Sequence, residues 1–237
     1  MISGLVDNYG LSLFACGLVR SGTNYLQFLI DSNIKDMMGL CRSPMTGFLP
    51  DKHIHDDAVD REYYKGLVPL IVYKDPFKWI DSLCRQSYGL ASNDDIAMRD
   101  GDTPIEITYN TDNDLCDRDW KITVSLEQIC WLYNNYNEYW INKIEAFDGR
   151  FVNYKKLIED PERTIRELSK IYGMKLKYPA NCILQPKDWK VHNSRKFDNV
   201  LLKTYMDDQW YEYLTDIHIR TINNNIDWKV YDKIISI

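Results

Sequence analysis

Hydrophobic positions along the chain gather into a few patterned stretches separated by polar ones. Residues 11–30 begin with a run of strand formers, Leu11 to Cys16, and continue through a polar, glycine-bearing loop. Tyr25, Leu26, Phe28, Leu29 and Ile30 then recur at the spacing of a packed helix. Residues 67–73 form an uninterrupted apolar run, which predicts a central parallel strand covered on both faces. Lys74, Asp75 and Pro76 follow. Pro76 suits the first turn of a helix, with Asp75 as N-cap, and Trp79, Ile80, Leu83 and Ser87 continue at helical spacing. Residues 124–147 carry Leu126, Ile129, Cys130, Tyr133, Tyr136, Trp140, Ile141 and Ile144 at threes and fours, a long amphipathic helix whose stripe is core. After Gly149, residues 150–154 predict a short strand. A helix is expected from about Pro161 to Tyr172, stopping at Gly173. A last helical segment is expected over about 201–220.

Two stretches lack this patterning. Residues 31–50 hold Gly39, Pro44, Gly47 and Pro50 and predict a connection. Residues 89–122 are rich in aspartate with little periodicity. They predict a surface excursion, a lid or an acceptor-binding loop. Their carboxylates lack a compact D-x-D-x-D-G spacing, so a solvated loop is expected there and not a calcium site. With no repeat, low-complexity tract or linker, the alternation of strands and helices predicts one α/β domain over residues 1–237.

Composition narrows the function classes. The net charge of −6 argues against a broad basic face for nucleic acid, so any anion site must be local. Seventeen tyrosines and seven tryptophans suit a cleft that stacks a base or a sugar, although most are expected in the core. The six cysteines form no C-x-x-C pair and none sits at zinc-finger spacing from a histidine, which favours reduced thiols. No basic start with an apolar h-region is present, and no apolar run reaches transmembrane length. The expectation is a cytoplasmic protein without stable membrane insertion and of open oligomeric state.

The candidate chemistry centres on Gly17, Arg20, Ser21, Gly22, Thr23 and Asn24. Strand, glycine loop and helix in that order make an anion cradle, because loop amides and the positive helix end face the same point. The two glycines have the spacing of a P-loop, G-x-x-x-x-G-K-S/T. Thr23, however, holds the lysine position and Asn24 the position of the metal-binding hydroxyl. The positive charge sits at Arg20 instead, which suggests an anion held without an obligatory metal; the alternative is an ordinary strand–turn–helix corner. Lys74 is expected at the carboxyl end of a strand, where open α/β sheets bind ligands, with Ser82 roughly two turns into the following helix. A snorkelling lysine and a solvent-facing serine are the structural alternatives. Lys52-His53-Ile54-His55 offers proton acceptors, or simply exposed histidines in a charged loop. A second basic stretch, residues 187–196, ends in Arg195 and Lys196.

Three stretches in this order resemble the sulfotransferase family that uses 3′-phosphoadenosine 5′-phosphosulfate (PAPS). Gly17 to Tyr25 resembles the family's 5′-phosphosulfate loop, written P-K-S-G-T-T-W, with Arg20 for lysine, Asn24 for the second threonine and Tyr25 for tryptophan. Lys74-Asp75-Pro76 through Ser82 is similar to R-N/D-P-x-D-x-x-x-S, which grips the 3′-phosphate, with Lys74 in the arginine position. Phe151-Val152-Asn153-Tyr154 through Asp160-Pro161 is similar to R-Y-E-D-L-x-x-D-P, whose tyrosine lies near the adenine. The resemblance covers most of the first 175 residues; the family's closing R-K-G contact has no clear copy, and Arg195 and Lys196 stand in for it.

The resemblance implies a three-layer, doubly wound, mostly parallel sheet of the P-loop-like sulfotransferase fold. It implies PAPS as donor, PAP as product, and a hydroxyl-bearing acceptor such as a carbohydrate or small molecule. It implies His53 as base, Lys52 beside it and His55 in reserve. Arg20 would lie at the leaving oxygen, with Ser21, Gly22, Thr23, Asn24 and Tyr25 in the 5′ cradle. Lys74 and Ser82 would hold the 3′-phosphate, with no metal required. The rivals are a P-loop-like nucleotide kinase, disfavoured by Thr23 and Asn24, and a non-catalytic nucleotide-binding module.

Overall fold

A computed structural model describes residues 12–35, 66–85, 96–109, 120–182, 206–207 and 211–237. Its centre is a parallel sheet in the order β1-β2-β5, formed by β1 (Ser12–Cys16), β2 (Leu67–Tyr73) and β5 (Arg150–Asn153). Ser12 lies opposite Leu67 and Cys16 opposite Ile71; Leu70 lies opposite Arg150 and Tyr73 opposite Asn153. The chain is therefore an α/β protein. The continuous apolar runs of β1 and β2 have the cause expected of them, since both faces of the sheet are covered.

Alternate residues feed two separate cores. Leu13, Ala15, Val68, Leu70, Val72 and Val152 point to one side. There they meet Leu26, Leu29 and Ile30 of α1 (Thr23–Asn33), Leu157 of α4 (Tyr154–Glu159), and Ile165 and Leu168 of α5 (Pro161–Ile171). Phe14, Cys16 and Ile71 point to the other side. They join Trp79, Ile80 and Leu83 of α2 (Pro76–Arg85), Ile129 and Tyr133 of α3 (Leu126–Lys143), and Ile222 of α6 (Asp216–Asn225). Helices thus lie on both faces of the sheet, making three layers. The last helix, α7 (Trp228–Ser236), packs Val230 and Ile234 near Tyr73. Gln27 of α1 ties helix to strand: its Oε1 accepts the Ala15 amide at 2.8 Å, satisfying a buried donor on β1.

The structure corrects four sequence expectations. The acidic stretch 89–122 contains β3 (Pro104–Tyr109), which pairs antiparallel with β4 (Trp120–Ser125), and buries Ile105 and Ile107 in the α2–α3 core. The signal was a two-residue alternation, Ile105-Glu106-Ile107-Thr108, short enough to be hidden among carboxylates. The long helix begins at Leu126 and not at residue 124, because β4 runs up to Ser125, whose hydroxyl then accepts the Gln128 amide as N-cap. Tyr154 opens α4 and does not close the strand, since the Asn153 side chain caps that helix from the Lys156 amide. At the C-terminus, α6 starts at Asp216 behind a Thr215 cap, and a further helix, α7, starts behind Asp227. Among the described residues, no helix is long and apolar enough to cross a membrane.

Candidate functional site

Each of the three strands of the parallel sheet delivers one candidate element at its carboxyl end. β1 leads into the loop from Gly17 to Gly22, β2 into Lys74, and β5 into Tyr154. This is the edge at which ligands bind in open α/β sheets.

The loop is held in an uncommon shape. Arg20 is left-handed, with φ 66°, and Gly22 follows at φ 104°. The Ser21 amide returns to the Leu18 carbonyl at 3.0 Å, and Trp79 of α2 donates its indole N–H to the Val19 carbonyl at 2.7 Å. The indole thus pins the outer side of the loop from the neighbouring strand's helix. At Gly17 there is no room for a side chain, since a Cβ would fall 2.4 Å from Ser21 Oγ and 2.6 Å from the Val72 carbonyl oxygen. Ser21 is buried, and its hydroxyl has no hydrogen-bond partner among the described residues. A buried hydroxyl without a described partner calls for an explanation, and a ligand group is one. The helix that follows starts at Gly22, which brings no side chain as cap, and its first turn holds no acidic residue. Both features suit an anion at that end.

Lys74 is buried, at 5 % exposure, and its ammonium donates to Ser82 Oγ at 3.3 Å. Ser82 in turn donates to the Lys78 carbonyl at 2.7 Å, a back-bond within α2 that fixes its rotamer. Lys74 and Ser82, which the resemblance assigns to one phosphate, lie side by side, and both are buried, so neither the snorkelling lysine nor the solvent-facing serine is seen. The Lys74 backbone is fixed as well, because Tyr133 of α3 donates its phenol O–H to the Lys74 carbonyl at 2.7 Å. Complete burial raises the Tyr133 phenol well above its ordinary value, so it remains a donor. Asp75 caps α2 as expected, with Oδ1 accepting from Phe77 N at 3.0 Å and Lys78 N at 3.2 Å.

Tyr154 joins the two halves. The Lys74 ammonium stands over its ring, 4.3 Å from the centroid. The same ring lies against Gly22, where a Cβ would sit 2.2 Å from Cε2 and 2.3 Å from Cδ2. Gly22 of the loop and Lys74 thus both pack against a single aromatic ring.

Sequence reasoning found the loop, Lys74, Ser82 and Tyr154, but missed the supports. Trp79 and Tyr133 looked like core residues of helical stripes, and both are; their polar ends are what hold the site. A buried Trp or Tyr needs a partner for its N–H or O–H, and that requirement was the available signal. Lys52, His53, His55, Arg195 and Lys196 lie outside the described residues. The thiols nearest the sheet are not nucleophile candidates: burial pushes Cys16 well up, and Cys84 and Cys130 up to about 12. Among the described residues no cluster of His, Cys, Asp or Glu has metal-ligand geometry. Comparison with family models, curated proteins and solved structures finds no match for this chain.

Proposed function

We propose that this protein is a sulfotransferase that moves a sulfuryl group from PAPS to a hydroxyl acceptor, a carbohydrate or another small molecule, and releases PAP. The observation that carries this reading is the meeting of the glycine loop, the Lys74–Ser82 pair and Tyr154 at the carboxyl ends of three adjacent parallel strands. A ligand with anionic groups at two ends suits a glycine loop and an ammonium that share one ring. The residues fit such a donor: the buried Ser21 hydroxyl lacks a partner among the described residues, glycine lets the loop close tightly on its neighbours, and a buried ammonium stands on a serine and a ring.

When bound, the donor supplies an activated sulfuryl group on a nucleotide phosphate. The chain supplies the placement and the charge. Ser21 and the amides of Gly22, Thr23 and Asn24 cradle the 5′ end, with Tyr25 behind them in the first turn of α1. Arg20 brings positive charge to the oxygen that leaves, where fixed cations act most strongly. Lys74 and Ser82 hold the 3′-phosphate, the feature that separates this donor from ATP. His53 takes the acceptor proton with Lys52 beside it and His55 in reserve, and Arg195 and Lys196 complete the donor contacts. These last roles rest on the resemblance alone.

The test is calorimetry with PAP against AMP and ATP, with and without magnesium. PAP is expected to bind about 10–100-fold more tightly than AMP, the worth of one or two charge-assisted hydrogen bonds. Equal affinities would overturn the reading. Magnesium-dependent preference for ATP would favour a nucleotide kinase. PAP binding without transfer to any acceptor in a hydroxyl screen would leave a binding module.

A further inference from the structure

The ammonium of Lys74 has two described supports of different kinds. Ser82 Oγ is one, at 3.3 Å; the ring of Tyr154 is the other, 4.3 Å from its centroid. A hydroxyl accepts one N–H and holds the cation at a single point. A ring face attracts the cation over its whole area and sets its height. The ring is itself fixed: it is 6 % exposed, it belongs to the first turn of α4, and Gly22 closes against its Cδ2–Cε2 side. The ring face on which Lys74 stands is occupied by the ammonium and so is not open to a stacked base.

We propose that Tyr154 is a positioning residue for Lys74. Its ring sets where the ammonium stands relative to the Gly17–Gly22 loop, and through that how tightly the 3′-phosphate is held. The role belongs to the ring and not to the hydroxyl. It rests on the donor reading above and changes the part Tyr154 plays in it, from a neighbour of the adenine to a support for a cation.

The experiment compares Tyr154→Phe, Tyr154→Leu, Lys74→Met and the Lys74→Met/Tyr154→Leu double variant by calorimetry with PAP and AMP. Tyr154→Phe keeps the ring and is expected to keep the wild-type PAP-over-AMP preference. Tyr154→Leu is expected to lower that preference about tenfold, within the range for a cation over a ring, while AMP binds as before. The double variant is expected to bind PAP no worse than Lys74→Met alone. If Tyr154→Leu weakens PAP and AMP by the same factor, the ring acts on the nucleoside and the proposal fails; additive losses in the double variant also sink it. Tyr154→Met replaces the leucine variant should that protein not fold.

A separate arm needs no nucleotide. Acetylation of Lys74 by a small reagent, followed by peptide mass spectrometry, is expected to be faster in Tyr154→Leu and unchanged in Tyr154→Phe. Wild-type protein without PAP preference would remove the donor reading, and the labelling rates would then still decide the ring's role. Equal rates in all three proteins overturn it.

Discussion

The start of α1 and the starts of the other described α-helices solve the same problem differently. Every helix begins with amides that have no partner within the helix. α2 begins behind Asp75, α3 behind Ser125, α4 behind Asn153, α5 behind Asp160, α6 behind Thr215 and α7 behind Asp227, and each of these side chains accepts a first-turn amide. α1 begins behind Gly22, which has no side chain. The preceding loop adds a left-handed arginine and a buried hydroxyl without a partner among the described residues. Six first turns are capped by the side chain that precedes them, and that of α1 is not. A capped turn stabilises the fold; an uncapped, strained one suits binding.

That contrast can be broken at several points. The largest effect is expected for Arg20→Ala, which should lower sulfuryl transfer by roughly 10²–10³ with little change in melting temperature. Arg20 is only partly buried as a residue, although its Nε is covered, so the packing lost is limited. Near-normal turnover would take Arg20 out of the mechanism. Gly22→Ala should act on the fold instead. A Cβ at φ 104° meets Tyr154 at 2.2 Å, and left-handed strain plus overpacking should lower denaturant stability by about 3 kcal/mol. A stable Gly22→Ala protein would mean that the ring can move aside.

Asp160→Ala should cost only about 1 kcal/mol, the usual loss for a cap, and leave PAP affinity unchanged. A large fall in affinity would show that a capped turn also serves the site.

The smallest effect concerns pH. Burial raises the Asp81 carboxyl, against the lowering effects of the Tyr213 amide, Arg85, the Glu212 amide and Lys78. A carboxyl raised by folding binds its proton more tightly in the folded state. Its contribution is therefore fullest below the unfolded value, about 3.9, and is lost as pH rises through the folded value. Wild-type stability relative to Asp81→Asn should accordingly decline as pH rises through the carboxyl range; a rising difference would contradict the burial argument.

Much of this was legible beforehand, because the relevant forces act over a few residues. Glycine at 17 and 22 marked the loop, Asp75-Pro76 marked the start of α2, and the apolar run 67–73 marked a strand buried on both sides. Periodicity over many residues exposed α3 and α5. The weak signals were short ones: β3 rests on two inward isoleucines, and α7 was hidden although Asp227, Trp228, Tyr231 and Ile234 carry its cap and its stripe.

Residue types and spacing were enough to write the glycine loop, the cap residues and the two-sided strands, since each is settled within one turn or one pleat. The meeting of Gly22, Lys74 and Tyr154 was of another kind. It depends on β1 pairing with β2 and β2 with β5, which brings three distant turns to one sheet edge. Whether an ammonium then stands on a ring or in water is decided over a few ångströms by packing from Trp79, Tyr133 and Gly22, and no local pattern encodes that distance.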